Sequence, residues 1–311
     1  HMSAEINKTI TGEYDYKGES IKYGDTDSSI FSAYSTLQNE IESGNIPWTK
    51  DTVTQLYDQV ADQVNGTFGD FMYRTFHCPK SRSDVIKAGR EIVGTSGLFI
   101  TKKRYAIMVY DDEGVRRDID GKPGKIKAMG LDLRRADTPT YMQEFLMKIL
   151  TLVLQDASEE DILERITVFR KEFKEMPAWQ KGTPKRVNRL YHYGELMKKN
   201  PKATVPGHVR ASINWNNLKK MNGDRYSVDI TDGMKVIVCD LKSNPLGLVS
   251  VAYPVDEARL PEWFKELPFD EQSMTEKIID KKIQNLIGIL DYDLSKTKND
   301  NTFNNLFDWG D

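Results

Sequence analysis

Apolar positions recur along this chain at two different spacings, and the change of spacing divides it. Near the start they form short β-prone runs, Glu19–Tyr23 and Ser29–Tyr34, with Gly and Asp between them, which predicts a hairpin. Val53, Leu56, Tyr57, Val60 and Val64 then fall at helical spacing. Ile92-Val93, Leu98-Phe99-Ile100 and Arg104–Tyr110 read as strands broken by Gly94 and Gly97. Asp111–Gly114 reads as a turn, which makes Tyr105–Tyr110 one arm of another hairpin, and Gly121–Gly124 as a loop. Past Leu131 the helical period takes over. Thr138-Pro139 predicts a helix start, with Thr as cap and Pro at the first helical position, and Met142, Phe145, Leu146, Ile149 and Val153 as its buried stripe. Ser158, followed by Glu159, Glu160 and Asp161, opens a helix with the stripe Ile162, Leu163, Ile166, Phe169 and Phe173. Met274, Ile278, Ile279, Ile283, Leu286 and Ile287 mark a third long helix. Such aliphatic stripes are core. Strand-like and helical runs thus both occur along the chain.

Composition adds limits. A chain of 311 residues, 39% hydrophobic and 29% charged, is long enough for two domains and ordinary for a globular protein. No apolar run approaches membrane-spanning length and no signal peptide is visible, so no membrane partner is expected. Cys78 and Cys239 are isolated and form no C-x-x-C, and with four His a structural zinc site is disfavoured; both read as reduced thiols. The net charge of −3 conceals an asymmetry: residues 165–210 hold 12 Lys and Arg against 3 Glu. Charge runs commonly mark only a solvated face. A net +9 concentrated in an otherwise acidic chain points instead to a phosphate-facing surface.

Candidate chemistry centres on Lys22–Ser29, K-Y-G-D-T-D-S-S. Asp25 and Asp27 are two residues apart, and extended residues at that spacing share a face. Uncompensated, the two carboxylates repel and one takes up a proton. A hard cation such as Mg2+ removes the conflict, since it favours one or two carboxylates completed by phosphates. D-T-D alone is commonly an acidic turn.

The full Y-G-D-T-D-S string on a hairpin resembles the third motif of family B DNA polymerases, whose two Asp residues hold catalytic metals in the palm. The resemblance continues in order. Lys102-Lys103-Arg104-Tyr105 is similar to the K-K-R-Y segment that grips the primer-template duplex. Glu91 matches an acidic palm residue near the metals; it is read either as a metal ligand or as the partner of a basic neighbour. Lys127–Pro139, with Arg134 and Arg135, resembles the palm-to-thumb junction. Val205–Ala211, with His208 and Arg210, resembles a duplex-contacting thumb segment, and Asp232–Val236 with Asn244–Gly247 resembles the thumb's later strands. Asn305–Trp309 is similar to a sliding-clamp peptide, with Leu306, Phe307 and Trp309 as its anchors; a tail folded back on the thumb is the other reading. The set is closest to the T4-like phage replicative polymerases and covers essentially the whole chain.

The upstream D-x-x-S-L-Y-P-S and K-x-x-x-N-S-x-Y-G strings do not occur, so no nucleotide-binding residue is expected here. The resemblance implies a C-terminal piece of a polymerase, either a naturally split subunit or a truncation; His1 before Met2 reads as a cloning scar. It implies an α+β fold: an antiparallel palm sheet with packed helices over 2–130, a mainly helical thumb with a small β element over 131–294, and a flexible linker and clamp-binding tail over 295–311. It implies DNA replication by two-metal nucleotidyl transfer, with Mg2+ held by Asp25, Asp27, Glu91 where it acts as a ligand, and an Asp on the N-terminal part. The implied partners are primer-template DNA, an N-terminal chain carrying exonuclease and fingers, and a sliding clamp, in the cytoplasm of an infected bacterial host. The other reading is a non-catalytic DNA-binding and clamp-tethering module with a vestigial metal hairpin.

Overall fold

The computed structural model describes residues 1–15, 20–200 and 202–298. The chain is α+β with antiparallel sheets, and it divides into two compact units, His1–Met129 and Gly130–Asp311.

In the first unit, α1 (Met2–Thr11) precedes a hairpin of β1 (Ile21–Asp25) and β2 (Ser28–Phe31). The short α2 (Tyr34–Glu42) leads to α3 (Lys50–Phe76). Thr49 caps α3 by accepting the Thr52 N–H at 3.2 Å, while Thr52 Oγ1 accepts the Thr49 N–H at 2.9 Å, a reciprocal capping box. The predicted stripe holds: Val53, Val60 and Val64 are buried, the latter two packing with Ile6 of α1 and with Phe68. A four-stranded sheet follows, with β4 (Arg104–Asp112) flanked by β3 (Ile92–Thr101) on one side and by β5 (Val115–Arg116) and β6 (Lys125–Met129) on the other. Residues 106–111 of β4 are all buried, which explains their near-continuous apolar run: both faces of this strand are covered. Gly94 and Gly97 do not break β3 into separate strands. The strand runs through both, and its pairing shifts register on either side of Gly94. A Cβ at Gly94 would lie 2.8 Å from the Met108 carbonyl oxygen, so the glycine permits close approach within one bulged strand.

In the second unit, α4 (Thr140–Leu154) and α5 (Glu159–Glu175) pack with Phe145 stacked on Phe169, ring centroids 3.7 Å apart. Ser158 caps α5 through the Asp161 N–H at 3.1 Å, as expected. The start of α4 differs by one residue: Pro139 is the cap, and Thr138 is buried and accepts the Lys282 ammonium at 2.8 Å. Leu150 and Leu154 are buried where Val153 was expected, because α4 is apolar around more of its circumference than one stripe. A three-stranded antiparallel sheet, β7 (Thr183–Arg186), β8 (Lys235–Asp240) and β9 (Ser250–Pro254), receives α7 (Gly207–Met221), with α6 (Leu190–Lys199) before it in sequence. Trp215 of α7 is fully buried here, its indole N–H donating to the Val228 carbonyl at 2.9 Å. After α8 (Glu262–Lys265) comes the third expected helix. It is built as α9 (Glu271–Thr275), a π-helical turn Glu276–Asp280 and α10 (Lys281–Ile287), and all six stripe residues are buried. Composition marks 295 onward as linker, yet Leu294–Lys298 winds into a packed turn in which buried Thr297 accepts the Arg170 guanidinium at 3.0 Å. Cys239 is buried and Cys78 half-buried, and both are free thiols.

Candidate functional site

The hairpin tip is a two-residue connection, Thr26-Asp27, closed by the Asp25–Ser28 pair. Asp25 is therefore the last extended residue, while Asp27 belongs to the turn, so alternation along a strand does not decide which way the second carboxylate faces. Asp25 Oδ1 accepts the Thr26 N–H at 3.0 Å and the Thr26 hydroxyl at 3.2 Å, and Lys103 Nζ lies 3.6 Å from Oδ2. Desolvation pushes this carboxyl up, but Thr26 and the charges of Lys103 and Lys102 outweigh it and hold Asp25 below its ordinary range. The countercharge comes from a neighbouring lysine.

Lys102 and Lys103 are the two turn residues joining β3 to β4, rather than strand residues facing opposite ways. Thr101 pairs with Arg104 across that turn, and Lys103 adopts the left-handed φ of 61°. Its N–H donates to the Tyr23 hydroxyl at 3.0 Å. Tyr23 lies against Tyr105 and Phe99, at 5.1 and 6.2 Å between ring centroids, and those two rings are 5.8 Å apart. Three aromatic rings thus lock the aspartate hairpin onto the lysine turn. The sequence placed Tyr23 and Tyr105 in separate motifs, 82 positions apart. Phe99 was read only as part of a strand, since a ring in an apolar run looks like core.

Glu91 is exposed and pairs with Lys127 Nζ at 2.5 Å. Asp27, Glu91 and Lys127 line one cavity of about 680 Å³, whose apolar walls include Ile6, Phe31, Val60 and Val64. Among the described residues no group of three or more His, Cys, Asp or Glu is arranged to hold a metal ion. Mg2+ takes few protein ligands and completes its shell with phosphates and water, so a pair of carboxylates would make up only part of such a site.

The second unit gathers other expected residues. Arg134 and Arg135 are exposed. Arg135 forks onto Asp137, Nε at 3.0 Å and Nη2 at 3.2 Å, and its Nε lies 3.3 Å from Asp132. Lys185 of β7, a residue that the motifs did not single out, reaches the same Asp137 at 3.2 Å. Its signal lay only in the basic stretch. His208, in the first turn of α7, is half-buried, and burial together with the charge of Lys185 lowers its pKa. Arg210 donates weakly to the Ala203 carbonyl at 3.4 Å, and its Nε has no hydrogen-bond partner among the described residues. The net +9 of residues 165–210 overstates the free charge. Arg170 binds Asp280 at 2.6 Å, and buried Lys181 donates to the Lys174 carbonyl at 2.9 Å and to Glu271. Leu306, Phe307 and Trp309 lie outside the described residues.

No helix among the described residues is long and apolar enough to cross a membrane. No family model matches the chain. It is similar to the DNA-directed DNA polymerase of Enterobacteria phage T4, 31% identical over 162 residues, 52% of this chain and 17% of the relative. It is also similar to the DNA-directed DNA polymerase of Escherichia phage RB69, 27% identical over 263 residues, 81% of this chain and 28% of the relative. The chain thus spans less than a third of the length of the curated relatives it matches.

Proposed function

We propose that this chain, a relative of the T4-like phage DNA polymerases, forms the C-terminal part of a template-directed DNA polymerase of family B and is inactive without an N-terminal chain. The observation that carries this reading is the union of Asp25 with the Lys102-Lys103 turn. Asp25 of the hairpin and Lys103 of the turn, 78 residues apart in sequence, meet at 3.6 Å, and the Lys103 N–H donates to the Tyr23 hydroxyl of the same hairpin. Residues 2–130 would be the palm half and 131–294 the thumb. Asp25 and Asp27 would hold Mg2+, with an Asp from the N-terminal chain, and the bound ion would supply charge neutralisation for the triphosphate and activation of the primer 3′-hydroxyl. The hydroxyl would then attack the α-phosphate, releasing pyrophosphate. Lys102, Lys103, Arg104 and Tyr105, with Arg134, Arg135, His208 and Arg210, would grip the duplex through its phosphates and not its base edges. Glu91 is spoken for by Lys127 and would act as an ion-pair partner. Leu306, Phe307 and Trp309 would anchor a sliding clamp. The apolar cavity beside Asp27 suits a segment of the N-terminal chain, which would complete the palm.

A second reading, a DNA-binding and clamp-tethering module without catalysis, draws on one observation: Lys103 already neutralises Asp25 without a metal. The presence of both aspartates favours the first, because a vestigial site has no need of the pair. Primer extension separates them. The chain alone is expected to add no nucleotides, and mixing it with a chain carrying the exonuclease, fingers and upstream palm segment is expected to restore extension. Extension by the isolated chain would contradict the proposal, and a mixture that binds DNA but never extends would favour the second reading.

A further inference from the structure

Two cationic side chains from different elements meet at one carboxylate in the second unit, and the charge of one of them bears on a histidine. Arg135 comes from the segment before α4, Lys185 from β7 and His208 from α7. Asp137 accepts both arms of the Arg135 fork, at 3.0 and 3.2 Å, and the Lys185 ammonium at 3.2 Å. That is the donor geometry guanidinium offers to a phosphate, two parallel N–H bonds to two oxygens of one anion. The cluster is open to ligand: the side chains of Arg135, Lys185 and Asp137 are 59%, 36% and 28% exposed. Asp132 is the other carboxylate at Arg135, 3.3 Å from its Nε.

We infer that Arg135 and Lys185 form a phosphate-binding site, and that Asp137 fills it in the nucleic-acid-free chain as the stand-in for a backbone phosphate. The inference rests on the duplex-gripping role proposed above, and it assigns Lys185 and Asp137 to that surface. Arg135 and Lys185 hold Asp137 below the ordinary carboxylate range, the response of a carboxyl that serves them as a fixed anion. In the first unit Lys103, another residue of the proposed grip, likewise rests on a carboxylate, Asp25. Each cation is held in place by an intramolecular carboxylate that an incoming phosphate replaces. Pre-ordering the long side chains lowers the entropy lost on binding, and the carboxylate weakens binding of anions that cannot displace it.

The test uses the full chain and a short primer-template duplex, with affinity measured across a salt series. Asp137→Asn keeps an acceptor for Arg135 and removes the competing charge. It is expected to bind the duplex about 3- to 10-fold tighter at low salt, with a log–log salt slope steeper by about 1, while Lys185→Gln flattens the slope by a similar amount. A second arm needs no variant: inorganic phosphate is titrated into the wild-type chain while the His208 ring resonances are followed by NMR. Phosphate is expected to shift them, at lower concentration in Asp137→Asn and not in Lys185→Gln. The inference is overturned if His208 does not respond to phosphate, or if folded Asp137→Asn binds DNA no tighter than wild type. A phosphate response without duplex binding would leave the anion site standing and remove the polymerase-type grip. Duplex binding with a silent His208 would do the reverse.

Discussion

Lys103 occupies a left-handed backbone conformation, φ 61°, that side chains with a Cβ adopt at a cost of about 1 kcal/mol. Glycine carries no such cost, so charge and backbone are separable at this residue. Lys103→Ala and Lys103→Gly are both expected to weaken duplex binding on every sequence and to reduce the salt slope by about 1, while only Lys103→Gly gains thermal stability. Equal affinity of either variant with wild type would remove Lys103 from the DNA surface. Cys239 supplies a separate check. Burial raises its thiol far above the ordinary range, so one thiol per chain, Cys78, is expected to react with a thiol reagent at neutral pH and two after unfolding. At this scale the sequence was informative about identity and blind to partners. Asp25, Lys103 and Tyr105 stand out as motif residues. That Lys103 faces Asp25, or that Lys185 joins Arg135 at Asp137, depends on contacts between segments distant in sequence.

Helical elements were legible wherever a stripe had one burial face and a capping residue. The buried positions of α3, α5 and the Met274–Ile287 run follow from 3.6-residue spacing. The strands were harder. Gly94 and Gly97 look like breaks in β3, because a glycine that admits a neighbouring strand's carbonyl is indistinguishable in sequence from one that ends a strand. Gly94→Ala is accordingly expected to destabilise the first unit by about 1–3 kcal/mol, read as an earlier denaturant midpoint. An unchanged midpoint would mean that β3 relaxes around the added methyl. Another elemental link joins the start of α3 to the sheet: Asp118 binds Arg116 through paired bonds of 2.9 Å and also Lys50, while Arg116 reaches Asp51 at 2.5 Å. The hydrogen bonds from Arg116 and Lys50 hold Asp118 below its ordinary range. A depressed folded pKa stabilises above the unfolded carboxylate value of about 3.9, and that stability is lost as pH falls through the folded one. The stability gap between wild type and Asp118→Asn is therefore expected to be full near neutral pH and to shrink as pH falls below about 4. A gap that widened on acidification would contradict this assignment.

For the whole molecule, similarity to the phage RB69 polymerase extends over 81% of the chain but reaches only 28% of that relative. If, as proposed, the palm sheet is divided between two chains, it leaves open strand edges and apolar surface, and the chain is expected to pair with an N-terminal counterpart or to self-associate. Sedimentation as a monomer indifferent to that counterpart would contradict this. Deleting 306–311 is expected to leave extension of short primers by the reconstituted pair unchanged, and to shorten the products of one binding event when the clamp is loaded. No change with the clamp loaded would remove the clamp-peptide reading. The central claim is that the hairpin tip beside Lys103 supplies catalytic metal ligands, and single-turnover primer extension by the reconstituted pair carrying Asp27→Ala tests it most directly. The expected result is loss of extension with duplex affinity nearly that of wild type; extension at the wild-type rate would show that the hairpin holds no catalytic metal.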